Sequence, residues 1–211
     1  TFKKTLMMSY ESQLEDWVNK EKSGINLLKC VGTLMYDQGI ELVLFRKQLL
    51  EIGVSELMSY ISYARSVVGR KNNIETATLL AEEILNMNLT ASKIDIGLLT
   101  AEYLEGEAKE PNAFLRDKLK HIIEAKGESN IAKDVILYGF GRIGRLAARE
   151  LIKQAGKGQQ LRLKAIVVRK LTDVQIVKRA ALLRNDSVHG AFRGVVDVDL
   201  IKKSIIVNGQ E

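Results

Sequence analysis

The chain has 211 residues, 46% of them hydrophobic and 27% charged, with a net charge of +6. That length suits one large domain or two small ones with a sizeable core. No apolar run of about 18 residues is present, which argues against a transmembrane helix and a membrane partner. The positive charge is compatible with nucleic acid but equally with a phosphorylated metabolite or cofactor, and the basic residues are scattered rather than interleaved with aromatics, which argues against nucleic acid. One cysteine excludes an internal disulfide and fits a reducing, cytoplasmic compartment. Thr1 to Met8 lack a long apolar region and a small-residue cleavage site, so no signal peptide is expected. The absence of an initial Met leads us to expect that a few residues precede Thr1.

In chain order, residues 1–127 read as an all-helical N-terminal domain. Leu6, Tyr10, Leu14, Trp17 and Val18 recur at helical spacing and predict a first helix over Lys4 to Lys22. A second is predicted from Ile25 to Glu51, with Gly32 and Gly39 marking a bend or a close helix contact. Ser55 is placed as the N-cap of a third helix, Glu56 to Val68, ending near Gly69. A fourth helix covers Ile74 to Asn86. A fifth follows the cap Ser92, with Asp95 as its capping-box partner, and ends at Gly106. Pro111 marks the break before a sixth, Asn112 to Ala125. These helices are amphipathic and must bury their faces against something.

The polar stretch Lys126 to Asn130 reads as the domain junction, and residues 131–211 change to alternating strands and helices. Val135 to Tyr138 is a buried strand. Gly139, Gly141 and Gly144 then have the G-x-G-x-x-G spacing of a dinucleotide-binding turn. Gly139 makes the tight turn, Gly141 admits a pyrophosphate to the backbone, and Gly144 lets the next helix pack closely. That helix, Gly141 to Gln154, would aim its free amides and positive dipole end at the phosphates. A loop over Gly156 to Gln160 precedes a second strand, Leu161 to Val168, parallel to the first through a right-handed crossover. A helix over Thr172 to Leu183 and a β-hairpin, Gly194 to Asp199 with Ser204 to Val207, complete the pattern. The expected fold class is α/β: the helical domain, then the first part of a Rossmann-type NAD(P)-binding domain with parallel strands and a β-hairpin.

Tyr138 to Arg145, Y-G-F-G-R-I-G-R, resembles the N-G-F-G-R-I-G-R opening of glyceraldehyde-3-phosphate dehydrogenase. Asp186 to Gly190 resembles that family's D-S-V/T-H-G segment, and Ile206 to Gly209 its V-V-N-G hairpin end. The resemblance covers roughly Lys133 to Glu211. The helical part resembles the N-terminal extension of a long bacterial form and is expected to serve interaction or oligomerisation. The resemblance implies a cytoplasmic homo-oligomer of glycolysis or gluconeogenesis that oxidises glyceraldehyde 3-phosphate with NAD(P) and phosphate. It implies that a cysteine attacks the aldehyde, a histidine takes the proton, hydride goes to the nicotinamide, and phosphate cleaves the thioester. The family nucleophile sits in an S-C-T-T-N motif after the complete nucleotide domain. No such motif occurs here, so the chain is expected to be an N-terminal part, inactive alone, with no catalytic and no metal residues of its own.

Single residues refine that expectation. Cys30, in the apolar stretch Leu27 to Leu34, reads as core. His189 reads as structural, and His121 is given no function. The resemblance assigns cofactor binding to Gly139, Phe140, Gly141, Arg142, Ile143 and Gly144. Tyr138 stands where the family has asparagine. NAD-specific members end the second strand in Asn-Asp, whose aspartate binds ribose hydroxyls. Aligning on the strand puts Arg169 or Lys170 there, whereas counting back from Asp186 puts Thr172 there. A cation suits a 2′-phosphate, so Arg169 and Lys170 are expected to bind cofactor, and NADP to bind at least as well as NAD. A different Rossmann oxidoreductase, or a non-enzymatic nucleotide-binding regulator, is the alternative.

Overall fold

The computed structural model describes residues 9–106, 110–125, 132–155 and 160–211. The expected junction Lys126 to Asn130, most of the expected loop Gly156 to Gln160, and the first residues of the expected first helix lie outside the described residues. The chain separates into two compact units, Thr1–Glu128 and Ser129–Glu211. No described helix is long and apolar enough to cross a membrane.

The first unit opens with α1 (Tyr10–Thr33), capped by Ser9, whose hydroxyl accepts the amide of Ser12 over 3.2 Å. This helix does not break at Ser23 and Gly24, where the sequence suggested two helices. A Cβ on Gly24 would lie 2.7 Å from Cγ1 of Val54. The glycine is there because another helix crosses, not because the chain turns. A π-helical turn (Leu34–Gln38) continues α1 and stops at Gly39, which takes the left-handed conformation at φ 73°.

Beyond Gly39 the unit departs from the all-helical expectation. Strand β1 (Ile40–Leu44) pairs antiparallel with the short β2 (Lys47–Gln48) and parallel with β3 (Ser92–Asp95), giving a sheet ordered β2-β1-β3. The helix expected to run to Glu51 is therefore replaced by a hairpin, and Ser92 is a strand residue rather than a cap. The physical reason is composition: Ile40, Leu42, Val43 and Leu44 form a near-continuous buried run, the pattern of a strand covered on both faces.

Around this sheet stand α2 (Val54–Ser66), α3 (Ile74–Leu85), α4 (Ile96–Glu105), α5 (Pro111–Lys118) and α6 (Lys120–Glu124). Helix α2 starts after Gly53, so Ser55 lies inside it and is not its cap. Helix α3 starts as expected, with Asn73 accepting the amide of Thr76 over 2.7 Å. Helix α4 is capped by Asp95 itself, which accepts from Leu98 N over 3.0 Å. Pro111 is not a break but the first residue of α5, where its missing N–H costs nothing. Leu27, Leu34, Leu42, Leu44, Leu80, Ile84 and Ile96 form the fully buried centre of the unit.

The second unit has the expected order. Strand β4 (Lys133–Tyr138), helix α7 (Arg142–Lys153), strand β5 (Leu161–Val167) and helix α8 (Asp173–Arg184) follow one another, and β4 pairs parallel with β5 from Lys133↔Leu161 to Tyr138↔Val167. Two antiparallel pairs come next: β6 (Asn185–Asp186) with β7 (Gly190–Ala191), and the hairpin β8 (Val196–Asp199) with β9 (Ser204–Val207). Phe140, Ala148, Ala180, Leu183, Phe192, Val196 and Val207 form its core. Leu137, Leu163 and Ile166 pack against that core from one face of the sheet. Ile136, Tyr138 and Val167 on the strands are exposed. The expected buried strand is thus covered on one side only. The chain is mixed α/β, with a Rossmann-type strand–turn–helix–strand in its second unit.

Candidate functional site: the glycine turn

The parallel pair puts the carboxyl ends of β4 and β5 side by side, the edge where open α/β sheets bind ligands. Just past that edge Gly139 turns the chain at φ 95°, a conformation that penalises any residue with a Cβ. Its amide donates to the carbonyl of Val167 over 2.8 Å, so the turn is fastened to the end of the neighbouring strand.

Helix α7 then starts with Gly141 as its N-cap and no side chain closing its end. The first helical bond runs from Arg145 N to Gly141 O over 3.0 Å. The amides of Arg142, Ile143 and Gly144 therefore have no partner within the helix, and the positive end of its dipole faces outward. A Cβ built on Gly141 would meet nothing within 4 Å. The space over the amides is open, as a pyrophosphate requires. At Gly144 the opposite holds: a Cβ there would stand 2.4 Å from the carbonyl oxygen of Gly139. Gly139 thus turns the chain, Gly141 leaves open space over the amides, and Gly144 packs against the turn.

The other expected residues divide. Phe140 is buried in the core below the turn, so its side chain supports the loop and only its backbone faces the site. Arg142 and Ile143 are exposed on the first turn of α7. Arg169 and Lys170 are exposed in the segment after β5, past the carbonyl of Val167 that holds Gly139. Thr172, the other candidate for the ribose position, caps α8: its hydroxyl accepts the amide of Gln175 over 3.4 Å.

Two arginines of α7 hold a neighbouring loop, and neither was assigned a role from sequence. Arg145 reaches the buried carboxylate of Asp186 at 3.4 Å and the carbonyl of Phe140 at 3.4 Å. Asp186 also accepts the amides of Val188 and His189, each over 3.0 Å, and its Oδ1 lies 3.1 Å from Nδ1 of His189. An ionised carboxylate only accepts, so this nitrogen carries the proton. Those donors, the amide of Val188 first, then the amide and ring of His189, hold the Asp186 carboxyl far below the usual carboxylate range. One turn further along, buried Arg149 donates to Leu183 O over 3.0 and 2.6 Å and to Gly190 O over 3.1 Å. The segment Asp186 to Gly190 is thus a loop braced against α7, and His189 is part of the brace. The sequence signal was available: two arginines four apart on a helix share a face.

Cys30 is buried in the first unit, and burial, with Glu82 next in effect, pushes its thiol above the ordinary range. It is a packing residue, not an activated nucleophile. An apolar cleft of about 540 Å³ lies on another side of β5, between it, α8 and β9. Phe140 lines it from below the turn, with Lys164, Lys203 and Glu211 at its polar margin, while Gly139 and Gly141 do not line it.

Residues 133–211 match the family described as glyceraldehyde 3-phosphate dehydrogenase, NAD binding domain. A glyceraldehyde-3-phosphate dehydrogenase-like protein of Pseudomonas aeruginosa is 34% identical over 188 residues, 87% of this chain and 41% of that protein. The glyceraldehyde-3-phosphate dehydrogenase of Clostridium pasteurianum is 36% identical over 77 residues, covering 36% of this chain and 20% of its own. That of Bacteroides fragilis is 38% identical over 73 residues, with 35% and 20% covered. The chain spans about two fifths of the Pseudomonas protein's length, and a match over 188 residues has to run through both units.

Proposed function

We propose, from the premise that residues 133–211 belong to the glyceraldehyde-3-phosphate dehydrogenase NAD-binding domain family, that the chain is the cofactor-binding N-terminal part of such a dehydrogenase. The cofactor of the domain is NAD or NADP. The observation that carries the reading is the glycine turn: the open space at Gly141 beside the uncapped start of α7, with Gly144 pressed against Gly139. Backbone amides of residues 142–144 would take the pyrophosphate. Arg169 and Lys170 would take a 2′-phosphate, since Thr172 is occupied as a helix cap. On this reading NADP binds at least as well as NAD.

The reaction proposed for the whole protein is phosphorylating oxidation of glyceraldehyde 3-phosphate, in glycolysis or gluconeogenesis in the cytoplasm, by a homo-oligomer. The bound nicotinamide supplies a hydride acceptor. The chain's one cysteine is buried in the first unit, with its thiol pushed up, and the glycine turn belongs to the second, so on this reading the nucleophile comes from elsewhere. This chain alone is accordingly inactive, and its role is to bind and orient the cofactor. Residues 1–127 are proposed as an interaction or oligomerisation module.

An intact-mass measurement against the 23.6 kDa of these residues comes first. Calorimetric titration of NADP and NAD into the 211-residue chain then tests binding, and an aldehyde oxidation assay with phosphate tests both this chain and the longer protein. Cofactor binding by the chain, with turnover only by the longer protein, is expected. Turnover by the chain alone, or no binding of either nucleotide, would overturn the reading.

A further inference from the structure

Arg145 stands where a cation is poorly placed. It is the fourth residue of α7, close to the positive end of that helix's dipole. Its side chain is only 12% exposed, and its Nε is buried with no acceptor. Both features work against the fold. The carboxylate of Asp186, 3.4 Å away, offsets the charge, and the amides of Val188 and His189 hold that carboxylate in turn. Bracing the loop from Asp186 to Gly190 does not by itself call for this residue, because Arg149 already holds that loop at Gly190 from the next turn of the helix.

What sets Arg145 apart is its second contact. Side chains on a helix lean towards its N-terminus, and Arg145 reaches back to the glycine turn. Its Nη1 donates to the carbonyl of Phe140 over 3.4 Å, and no other described residue donates to that oxygen. A trans peptide is planar, with its N–H opposite to its C=O. Because the Phe140 carbonyl faces the half-buried guanidinium, the N–H of Gly141 points away from it. That N–H makes no hydrogen bond among the described residues, and a Cβ on Gly141 would meet nothing within 4 Å. We propose that Arg145 is a positioning residue for the cofactor, which rests on the glycine turn being the seat of the pyrophosphate. By holding the Phe140 carbonyl it aims the Gly141 N–H into the phosphate space, as a fourth donor beside the amides of residues 142–144. Nη2 takes Asp186 while Nη1 takes the carbonyl, so the fork of the guanidinium is used and a single ammonium does not reproduce it.

The test titrates NAD and NADP into the 211-residue chain and its variants, by calorimetry and by proton–nitrogen NMR, which also reports whether each variant is folded. Arg145→Met should weaken both nucleotides about tenfold or more, the measure of one hydrogen bond to a charged acceptor. The loss should be equal for the two, because the pyrophosphate is common to them. In the parent, saturating NAD should move the Gly141 amide proton downfield. In Arg145→Met that movement should vanish while the Ile143 amide still responds. Arg149→Met loosens the same loop without touching the turn, and should keep the Gly141 response. Should Arg145→Met fail to fold, Arg145→Lys carries the test and should show the same losses in part. A parent that binds neither nucleotide would overturn the reading of the turn and this role with it. A parent that binds, with unchanged affinity or an unchanged Gly141 response in the folded variant of Arg145, would overturn the role of Arg145 alone. So would a loss confined to NADP, or an equal loss of the Gly141 response in Arg149→Met.

Discussion

Gly144 approaches the turn so closely that a Cβ on it would stand 2.4 Å from the carbonyl oxygen of Gly139. The atom met is backbone, and the same residue donates its amide to Val167, so neither side can swing away. Gly144→Ala should destabilise the second unit by about 1–3 kcal/mol, the range of an overpacked contact, and should abolish nucleotide binding. Gly141→Ala is the companion variant. Its Cβ enters open space at an unstrained φ of −74°, so stability should change by less than about 1 kcal/mol. Its nucleotide affinity should still fall, because that space is where a phosphate would lie. Thermal unfolding with calorimetric titration separates the two effects, and unchanged affinity in Gly141→Ala would remove the phosphate from this turn.

The Asp186 carboxyl gives the second unit an acid-sensitive contact. Its folded value is depressed by the amides of Val188 and His189, then by the His189 ring and Arg145. A depressed carboxylate contributes stability that is present above its unfolded value, near 3.8, and is lost as pH falls through the folded one. The melting temperature of Asp186→Asn should therefore lie below that of the parent at neutral pH, with the gap closing as pH drops below about 4. Melting curves across that range decide it. A gap that stays constant would mean that the carboxylate charge is not what holds the loop.

Arg149 is buried, and its guanidinium serves the carbonyls of Leu183 and Gly190. Arg149→Met keeps most of the stem but leaves both acceptors without this donor, at a cost of about 2–3 kcal/mol for charge-assisted bonds lost in a buried site. The urea midpoint of the second unit's transition should fall with an unchanged slope. Arg149→Lys should recover part of the loss, since a single ammonium cannot reproduce the forked contact. An unchanged midpoint in the methionine variant would show that backbone or water replaces the guanidinium at no cost.

These cases show which parts of the fold were legible in the sequence. The glycine turn was, because each glycine answers to a local steric demand within six residues of chain. The strand β1 was not. Its hairpin turns on Phe45 and Arg46, at φ 46° and 67°, where a turn signal would be Asn-Gly. Those left-handed residues are held by Asp95, which accepts from Phe45 N over 2.9 Å and Arg46 N over 3.3 Å from 50 and 49 positions away. A turn stabilised from so far along the chain leaves no local mark, and the apolar run before it fits a helix as readily as a strand. The spacing of Arg145 and Arg149 shows that they share a helix face, but what Arg149 holds was hidden for a related reason: its acceptors are main-chain carbonyls, which every residue has.

On the proposed reading, the choice between NADP and NAD rests on the residues just past the end of β5. With Thr172 used as the cap of α8, those left at the strand end are Arg169 and Lys170, both exposed. An acid in this place would accept from ribose hydroxyls and repel a 2′-phosphate, whereas a cation does the reverse. Arg169→Asp should therefore weaken NADP and spare or strengthen NAD. One charge-assisted hydrogen bond amounts to about 1.5–3 kcal/mol, so the affinity ratio should move about tenfold or more towards NAD. Lys170→Asp should move it the same way, and the larger of the two shifts identifies the residue nearer the phosphate. Paired titrations with both nucleotides read the ratio directly, so a general loss of fold, which lowers both affinities together, does not imitate the effect. If neither substitution moves the ratio, the two cations are solvent-facing charges at a strand end and the cofactor preference is set by other residues.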